Sequence, residues 1–448
     1  MKEEIVDLPS SPGRKPRAVI VSRILFYILL LLLPTQLGKH FFFPFSTISG
    51  VRVDYLAPTI YLTDIVVLFF ILFTLVSVIK HKTYNIKLKK PHKIVICYLF
   101  SVICYLLFNS LFVASNIGAA LYRFVKVVEL VLLGTAIISI RPKLSTSIIF
   151  LSIGLFYSSI IAIIQFVQQQ SLGGVFWFLG ERSFTLATPT IAAISLGDKL
   201  LLRPYATFSH PNVLGGFIAT VMTFITSSFL STKVSLKLKY FWILPCMMLG
   251  VIALILTFSR LAWIVGFGGL SACVWWMRIR KLFKPKKISS THLLICIYIC
   301  IAASMTIPLF WTSPAQSIWQ RHVLVQEAWR IASSHPLMGV GLNNFSFFAL
   351  LRLFNAANFF IFQPVHNIYL LTLAESGIVG FALVLMFIAY LINQLRNVAF
   401  IFMIAVLQLL FLGMVDHYLF TLQQGQLLFT IIVALVLSHS HVVGHMDA

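Results

Sequence analysis

The sequence predicts an all-α, polytopic integral membrane protein of about twelve transmembrane helices, with an amphipathic helical loop on its outer surface. Three observations predict this class. Of the 448 residues, 59% are hydrophobic and only 10% charged, whereas about a quarter are charged in a soluble domain. Apolar runs close to the roughly twenty residues needed to cross about 30 Å of hydrocarbon recur along the chain. Lys and Arg gather in alternate connectors between those runs, as the positive-inside rule requires.

The runs lie near 18–36, 57–79, 94–115, 118–139, 147–168, 212–230, 240–258, 261–277, 291–311, 367–390, 398–415 and 419–438. The first follows a basic stretch holding Arg14, Lys15 and Arg17 and is not succeeded by a small-x-small cleavage site, so it reads as an uncleaved first helix. The amino terminus and the connectors HKTYNIKLKKPHK, RPK, STKVSLKLK, RIRKLFKPKK and NQLRN share one parity and belong in the cytoplasm. An even number of spans returns the carboxyl terminus, with His439, His441 and His445, to that side. This topology accounts for the formal charge of +22. A nucleic-acid partner would need a contiguous basic face, which the dispersed residues do not provide. Cys97, Cys104, Cys246, Cys273, Cys296 and Cys300 fall in or beside apolar runs without metal-ligand spacing and read as packing residues. The chain thus divides into N-terminal transmembrane helices (1–168), a functional membrane region (169–438) and a cytoplasmic tail (439–448).

Two long connectors, about 169–211 and 312–366, fall on the outer side, and long loops are disproportionately functional. In SIWQRHVLVQEAWRIASSHP, Ile318, Val325, Ala328, Trp329 and Ala332 recur at helical spacing, which predicts an amphipathic helix along the outer membrane surface. Arg203, Arg260, Arg321, Arg330 and Arg352, with His210, His322, His335 and His366, lie outside or at outer helix ends. Interfacial anchoring explains such residues one by one, Arg330 and Arg352 above all. Three segments point further. RPYATFSHPNVLGGF sets Arg203 before a helix start marked by Ser209 and Pro211. TFSRLAW puts Ser259 and Arg260 in a short outer turn, beside the free N–H groups of the next helix. QPVHNIYLLTLAESG places His366 at an outer helix end, where the positive pole of the helix keeps its imidazole neutral and able to accept a proton.

Several Arg with a neutral His suit chemistry on a diphosphate, because guanidinium forks match phosphate oxygens and fixed positive charge stabilises a leaving diphosphate. Asp54, Asp198, Glu181, Glu327 and Asp416 are scattered, so no metal or other cofactor is expected. The GVG of HPLMGVGLNNF reads as a tight turn. Arg123, Lys126 and Glu129 share one face of the fourth predicted span and read as a structural group lining a lipid-carrier cavity.

In chain order, RPYATFSHPNVLGGF, TFSRLAW, RHVLVQEAWRIASSHPLMGVGLNNF, VHNIYLLTLAESGIVG and DHYLFTLQQGQ resemble the O-antigen ligase and Wzy-type O-antigen polymerase superfamily of bacterial membrane glycosyltransferases, over roughly Arg203 to Phe429. His366 followed by ten residues and Gly377 reproduces a ligase pattern. The second pattern, Arg followed by three residues and Leu, is met by Arg260 except that Ile264 stands for the Leu. The resemblance implies metal-independent, inverting transfer of a glycan from an undecaprenyl diphosphate carrier to an acceptor hydroxyl, in lipopolysaccharide or other surface-polysaccharide synthesis at the periplasmic face of the inner membrane. On this implication His366 is the catalytic base, Arg203, Arg260 and Arg321 hold the diphosphate, and Asn212, Asn367 and Asp416 support them. Ligase, polymerase and protein O-glycosyltransferase differ in an acceptor groove without a short motif, so all three stay open. A transporter or flippase of lipid-linked glycans is the alternative; it predicts polar residues near the midplane and broken helices within the bilayer. A structural scaffold would leave the outer Arg and His residues without a cause.

Overall fold

The computed structural model describes residues 17–81, 90–231, 235–282, 290–306, 308, 316–353, 363–395 and 400–439. His441 and His445 lie outside these residues. A helix occupies each of the twelve predicted positions: α1 (Arg17–Leu32), α2 (Leu62–His81), α3 (Lys90–Phe108), α4 (Ile117–Ile140), α5 (Leu144–Gln168), α6 (Pro211–Ser231), α7 (Leu236–Leu238) running through a π turn into α8 (Leu244–Leu256), α9 (Arg260–Leu282), α10 (Ser290–Thr306), α13 (Ile368–Leu395), α14 (Phe400–Gly413) and α16 (Gln423–Ser438). Between them lie α11 (Gln316–Ser334), α12 (Phe345–Leu353) and the single turn α15 (Tyr418–Thr421). Among the described residues five helical stretches are long and apolar enough to cross a bilayer: Leu62–Ile79, Leu144–Gln168, Pro211–Phe229, Leu236–Leu256 and Ile368–Leu395. Shorter apolar helices cover Cys97–Val113, Thr291–Thr306, Phe402–Gly413 and Gln423–Ser438. The chain is therefore a multi-pass membrane protein, although its helix lengths do not by themselves count twelve spans.

The bundle core is built where α6 packs against α9 and α14, α5 against α8, α16 against α4, and α1 against α2 and α5. Phe217, Phe224 and Phe402 are fully buried there, and the rings of Phe224 and Phe402 are 5.9 Å apart. On α2, Ile65, Leu68, Phe69 and Leu72 point outward and are exposed. Only lipid makes such a face inexpensive.

Three small antiparallel hairpins, all in connectors of one end of the bundle, mark its loop-rich face. The 33–61 connector pairs β1 (Gly38–His40) with β4 (Thr59–Tyr61) around β2 (Thr47–Ile48) and β3 (Val51–Arg52). The 169–210 connector carries β5 (Ala193–Leu196) and β6 (Lys199–Leu202). The charges of α4, expected on one face of the fourth span, find partners at the ends of neighbouring helices. Lys126 bonds Glu129 at 2.8 Å and also Asp64 at 2.7 Å, and Asp64 is the third residue of α2. Gln423, the first residue of α16, joins Asp64 and Thr63. The cluster thus lies at the loop-rich ends of α2 and α16, not at half depth.

A 28-residue helix such as α13 would be about 42 Å long at 1.5 Å per residue, more than a bilayer core requires. It is broken instead at Gly377 (φ 58°, ψ −166°), a conformation open essentially to glycine alone. The turn 336–342 docks into the break: Ile378 N–H donates to Pro336 O at 2.8 Å, while Val340 and Gly341 donate to Ala374 O and Glu375 O at 3.1 and 2.9 Å. Gly339 and Gly341 have φ of 67° and 101°. The GVG segment is thus a tight turn with a purpose, since it satisfies the backbone groups that the broken helix frees.

α11 is the predicted amphipathic helix, but its apolar stripe is covered by protein. Leu324, Val325, Ala328, Ile331 and Ala332 are buried and the helix packs on α13. Arg330 and Arg352, expected as interfacial anchors, also have a protein partner. Both converge on the buried Glu327, at 2.5 and 2.7 Å.

Candidate functional site

Asn367 fixes His366. Its Oδ1 caps α13 by accepting from the N–H groups of Tyr369 and Leu370, both at 3.0 Å. Its Nδ2 donates to Met414 O and Ser304 Oγ, also at 3.0 Å. The start of α13 is thereby tied to the end of α14, where Asp416 follows. His366 Nδ1 stands 3.3 Å from Asp416 Oδ1, and the same oxygen accepts the His417 N–H at 2.8 Å. The His417 ring lies 4.9 Å from that of His366 and is met edge-on by Tyr55 from the 33–61 connector at 5.5 Å.

The opposite wall is the 169–212 connector. Gln165 on α5 organises it: its Oε1 accepts from the N–H groups of Tyr205 and Ala206, and its Nε2 donates to Ala206 O and to Glu181. Glu181, itself buried, accepts from Leu172 and Gly173 N–H at 2.8 and 2.7 Å. Arg203 projects from this scaffold, with Nε donating to Thr257 O at 2.7 Å and Nη2 to Asn212 Oδ1 at 2.8 Å. Arg321 comes from α11 and lines a small cavity with Asn212, Ser259, Asp416 and Tyr418. It makes no hydrogen bond or ion pair among the described residues.

Asn212, Arg321 and Asp416 thus line one cavity, with Arg203 bonded to Asn212, His366 beside Asp416 and Asn367 tied to Met414 just behind them. Arg260 is different: it is exposed at the first position of α9, and its neighbour Ser259, not Arg260, lines the cavity.

The electrostatics follow from burial among cations. Burial and the Arg321 charge hold the His366 imidazole below its ordinary range, opposed by Asp416. Burial would raise the Asp416 carboxyl, but the hydrogen bond to His366 and the charges of the two imidazoles and Arg321 hold it well below the usual carboxylate range. Burial first, then neighbouring His366 or Arg203, brings His417 and His210 down to about 3. Burial lowers Arg203 to about 10, which leaves it charged at neutral pH. With Asp416 ionised and His366 neutral, the imidazole proton belongs on Nδ1 facing the carboxylate. Nε2 is then free to accept a proton.

His366, Asp416 and His417 also bring ligand atoms within 4.8 Å of one another, a trio that residues scattered in sequence do not reveal. The expectation that ligand atoms do not cluster is corrected to that extent. Its donors are partly committed, however. His417 Nδ1 is held by Thr421 Oγ1 at 2.6 Å, Asp416 Oδ1 takes two contacts, and Arg321 adds positive charge beside it. The trio suits a carboxylate–imidazole pair better than a divalent cation.

Residues 245–385 match the family model described as O-antigen ligase. The recognition of the O-antigen ligase and Wzy-type polymerase superfamily stands on this match. No curated protein matches the chain. The O-antigen ligase segment takes in Arg260, Arg321, His366 and Gly377, and the fold brings Arg203 and Asp416 to it from outside. The match supports an enzyme of the ligase and polymerase type in a membrane setting. His417 and Tyr55 are site neighbours that sequence reading missed, and His210 reads there only as one of the outer histidines. DHY, beside the recognised Asp416, carried the signal for His417, while nothing in the sequence tied Tyr55 to a residue more than three hundred positions away.

Proposed function

We propose that this protein transfers a glycan from an undecaprenyl diphosphate carrier to an acceptor hydroxyl, with inversion and without a metal, at the periplasmic face of the bacterial inner membrane, both chain termini being cytoplasmic. The observation that carries this reading is one: the His366 imidazole faces the Asp416 carboxylate through Nδ1, and Asp416 lines a cavity together with Arg321, a guanidinium without a hydrogen-bond partner among the described residues. His366 Nε2 takes the proton of the acceptor hydroxyl as its oxygen bonds to the anomeric carbon. The bond from that carbon to the diphosphate oxygen breaks, and the electron pair leaves with the diphosphate. Asp416 stabilises the imidazolium that forms, and Arg203 and Arg321 offset the charge developing on the leaving group. Arg260, exposed beside the cavity, meets the diphosphate as it enters. Ligase and surface-polysaccharide polymerase share all of these steps.

A transporter or flippase of lipid-linked glycans needs no general base, and this distinguishes the readings. The purified protein, incubated with undecaprenyl-diphosphate glycan and candidate acceptors, should label an acceptor. His366→Ala should lower transfer by about 10²–10⁴-fold, Arg330→Ala should spare it because Arg330 is occupied with Glu327, and EDTA should leave it intact. Equal activity of the His366 variant and wild type would refute the base, and a strict Mg²⁺ requirement would refute the metal-free chemistry.

A further inference from the structure

His210 stands in the turn SHPN, immediately before α6. Pro211 has no N–H, so the first free donor at this helix start is the N–H of Asn212, and it points at the His210 ring: Asn212 N donates to His210 Nδ1 at 3.1 Å. An imidazole nitrogen that accepts carries no proton, so the proton of this neutral ring is on Nε2. The tautomer is fixed by backbone, and Nε2–H has no partner among the described residues.

The ring is also held in place. Tyr205 lies edge-on at 6.1 Å, and the carbonyl of the preceding residue, Ser209, accepts from Arg182 Nη2 at 2.7 Å. Ser209 Oγ is buried without a partner among the described residues. One residue joins the ring to the neighbouring cation, because Asn212 serves His210 with its N–H and Arg203 with its side-chain oxygen. The charged and titratable groups that face His210 are Arg203 and Tyr205 from its own connector, Asp416 and His417 beyond α14, His366 at the start of α13 and Arg321 from α11.

We propose that His210 is a further binding residue of this site, offering its Nε2–H as a fixed, neutral donor to a non-bridging oxygen of the lipid diphosphate; the inference rests on the function proposed above. A guanidinium supplies charge, while a neutral N–H supplies direction without adding repulsion to the two Arg already present. The carboxylate of Asp416 accepts and does not donate, so an anion seated beside it needs donors such as this one.

The test uses the purified full-length protein and undecaprenyl diphosphate itself, so that binding is read apart from transfer. Loss of one hydrogen bond to a charged group weakens binding by about 10–100-fold. His210→Ala should show that loss. His210→Gln keeps an N–H donor at similar reach and should recover most of the affinity, whereas His210→Met, of similar size and without a donor, should not. The pH profile of His210→Gln should coincide with wild type, because a donor of fixed tautomer does not titrate in the working range. Wild-type affinity in His210→Met, or a Gln variant as weak as Met at equal thermal stability, would overturn the proposal. So would an acid limb that moves in His210→Gln. If wild type binds undecaprenyl diphosphate yet transfers no glycan, the enzyme reading fails, and the binding constants alone decide for or against His210.

Discussion

The two walls of the cavity are held by different means. The wall around Arg203 is fixed by buried side chains that bond to loop backbone: Gln165 and Glu181 satisfy the connector, and Arg203 is already committed to Thr257 and Asn212. The wall around Arg321 and His366 is fixed by a broken helix, capped by Asn367 at its start and filled at Gly377 by the turn 336–342. Its guanidinium has no hydrogen-bond partner among the described residues. The difference teaches that like residues in one site do unlike work. Arg203 is preorganised and contributes a fixed field, whereas Arg321 is placed to change partners when an anion arrives.

The sharpest way to break this comparison is to remove the device that holds only one wall. A Cβ at Gly377 would run into the carbonyl oxygen of Leu337, and the backbone there costs a non-glycine residue about 1–3 kcal/mol before any clash. Gly377→Ala should therefore abolish glycan transfer and lower thermal stability, while transfer with Gly134→Ala, at a glycine whose added Cβ meets only an ordinary contact with Thr430, should stay near wild type. Equal losses in both variants would mean that glycine as such, and not the break, matters.

Much of this fold is legible in sequence, for a physical reason: lipid leaves the backbone only helices or closed barrels, and unbroken apolar runs of about twenty residues belong to helices. Hence all twelve predicted positions carry helices. Depth is less legible. Lys126 sits within an apolar run, but its partner Asp64 at the start of α2 shows where it lies, and that partner is 62 positions away. Arg330 and Arg352 read as interfacial anchors, and their shared partner Glu327 was not foreseen. In the site, types of residue were readable, since cations outside a membrane protein call for a cause. Their conjunction was not, because His366 and Asp416 meet across fifty positions, and the contact is made by helix packing rather than by a motif.

The comparison of the two guanidinium groups can be sharpened by conservative exchange. Lys keeps the charge but not the fork. At position 203, Lys cannot hold both Thr257 O and Asn212 Oδ1, so Arg203→Lys should loosen the wall and lower turnover by about tenfold or more, consistent with losing one charge-assisted hydrogen bond. At position 321 no hydrogen bond to a described residue is lost. Arg321→Lys should mainly raise KM for the lipid-linked donor, and more weakly. Steady-state kinetics with purified variants decides the matter: equal kcat and KM effects at both positions would erase the distinction between the walls.

The smallest expected effect is a displacement of the acid limb, and its sign separates the two groups that flank the base. Transfer requires neutral His366, so activity falls as pH drops through its pKa, which lies below the ordinary imidazole value. Arg321 lowers that pKa. Replacing it with Gln removes a repelling charge, makes the imidazolium easier to form, and should move the acid limb to higher pH. Asp416 raises the same pKa through its hydrogen bond and its charge. Asp416→Asn should therefore move the limb to lower pH, in addition to reducing the maximal rate, because the amide neither favours the Nδ1–H tautomer nor stabilises the imidazolium. A profile of kcat/KM against pH for the three proteins supplies the comparison. Limbs that shift in the same direction would remove His366 from its place between the Arg321 cation and the Asp416 carboxylate.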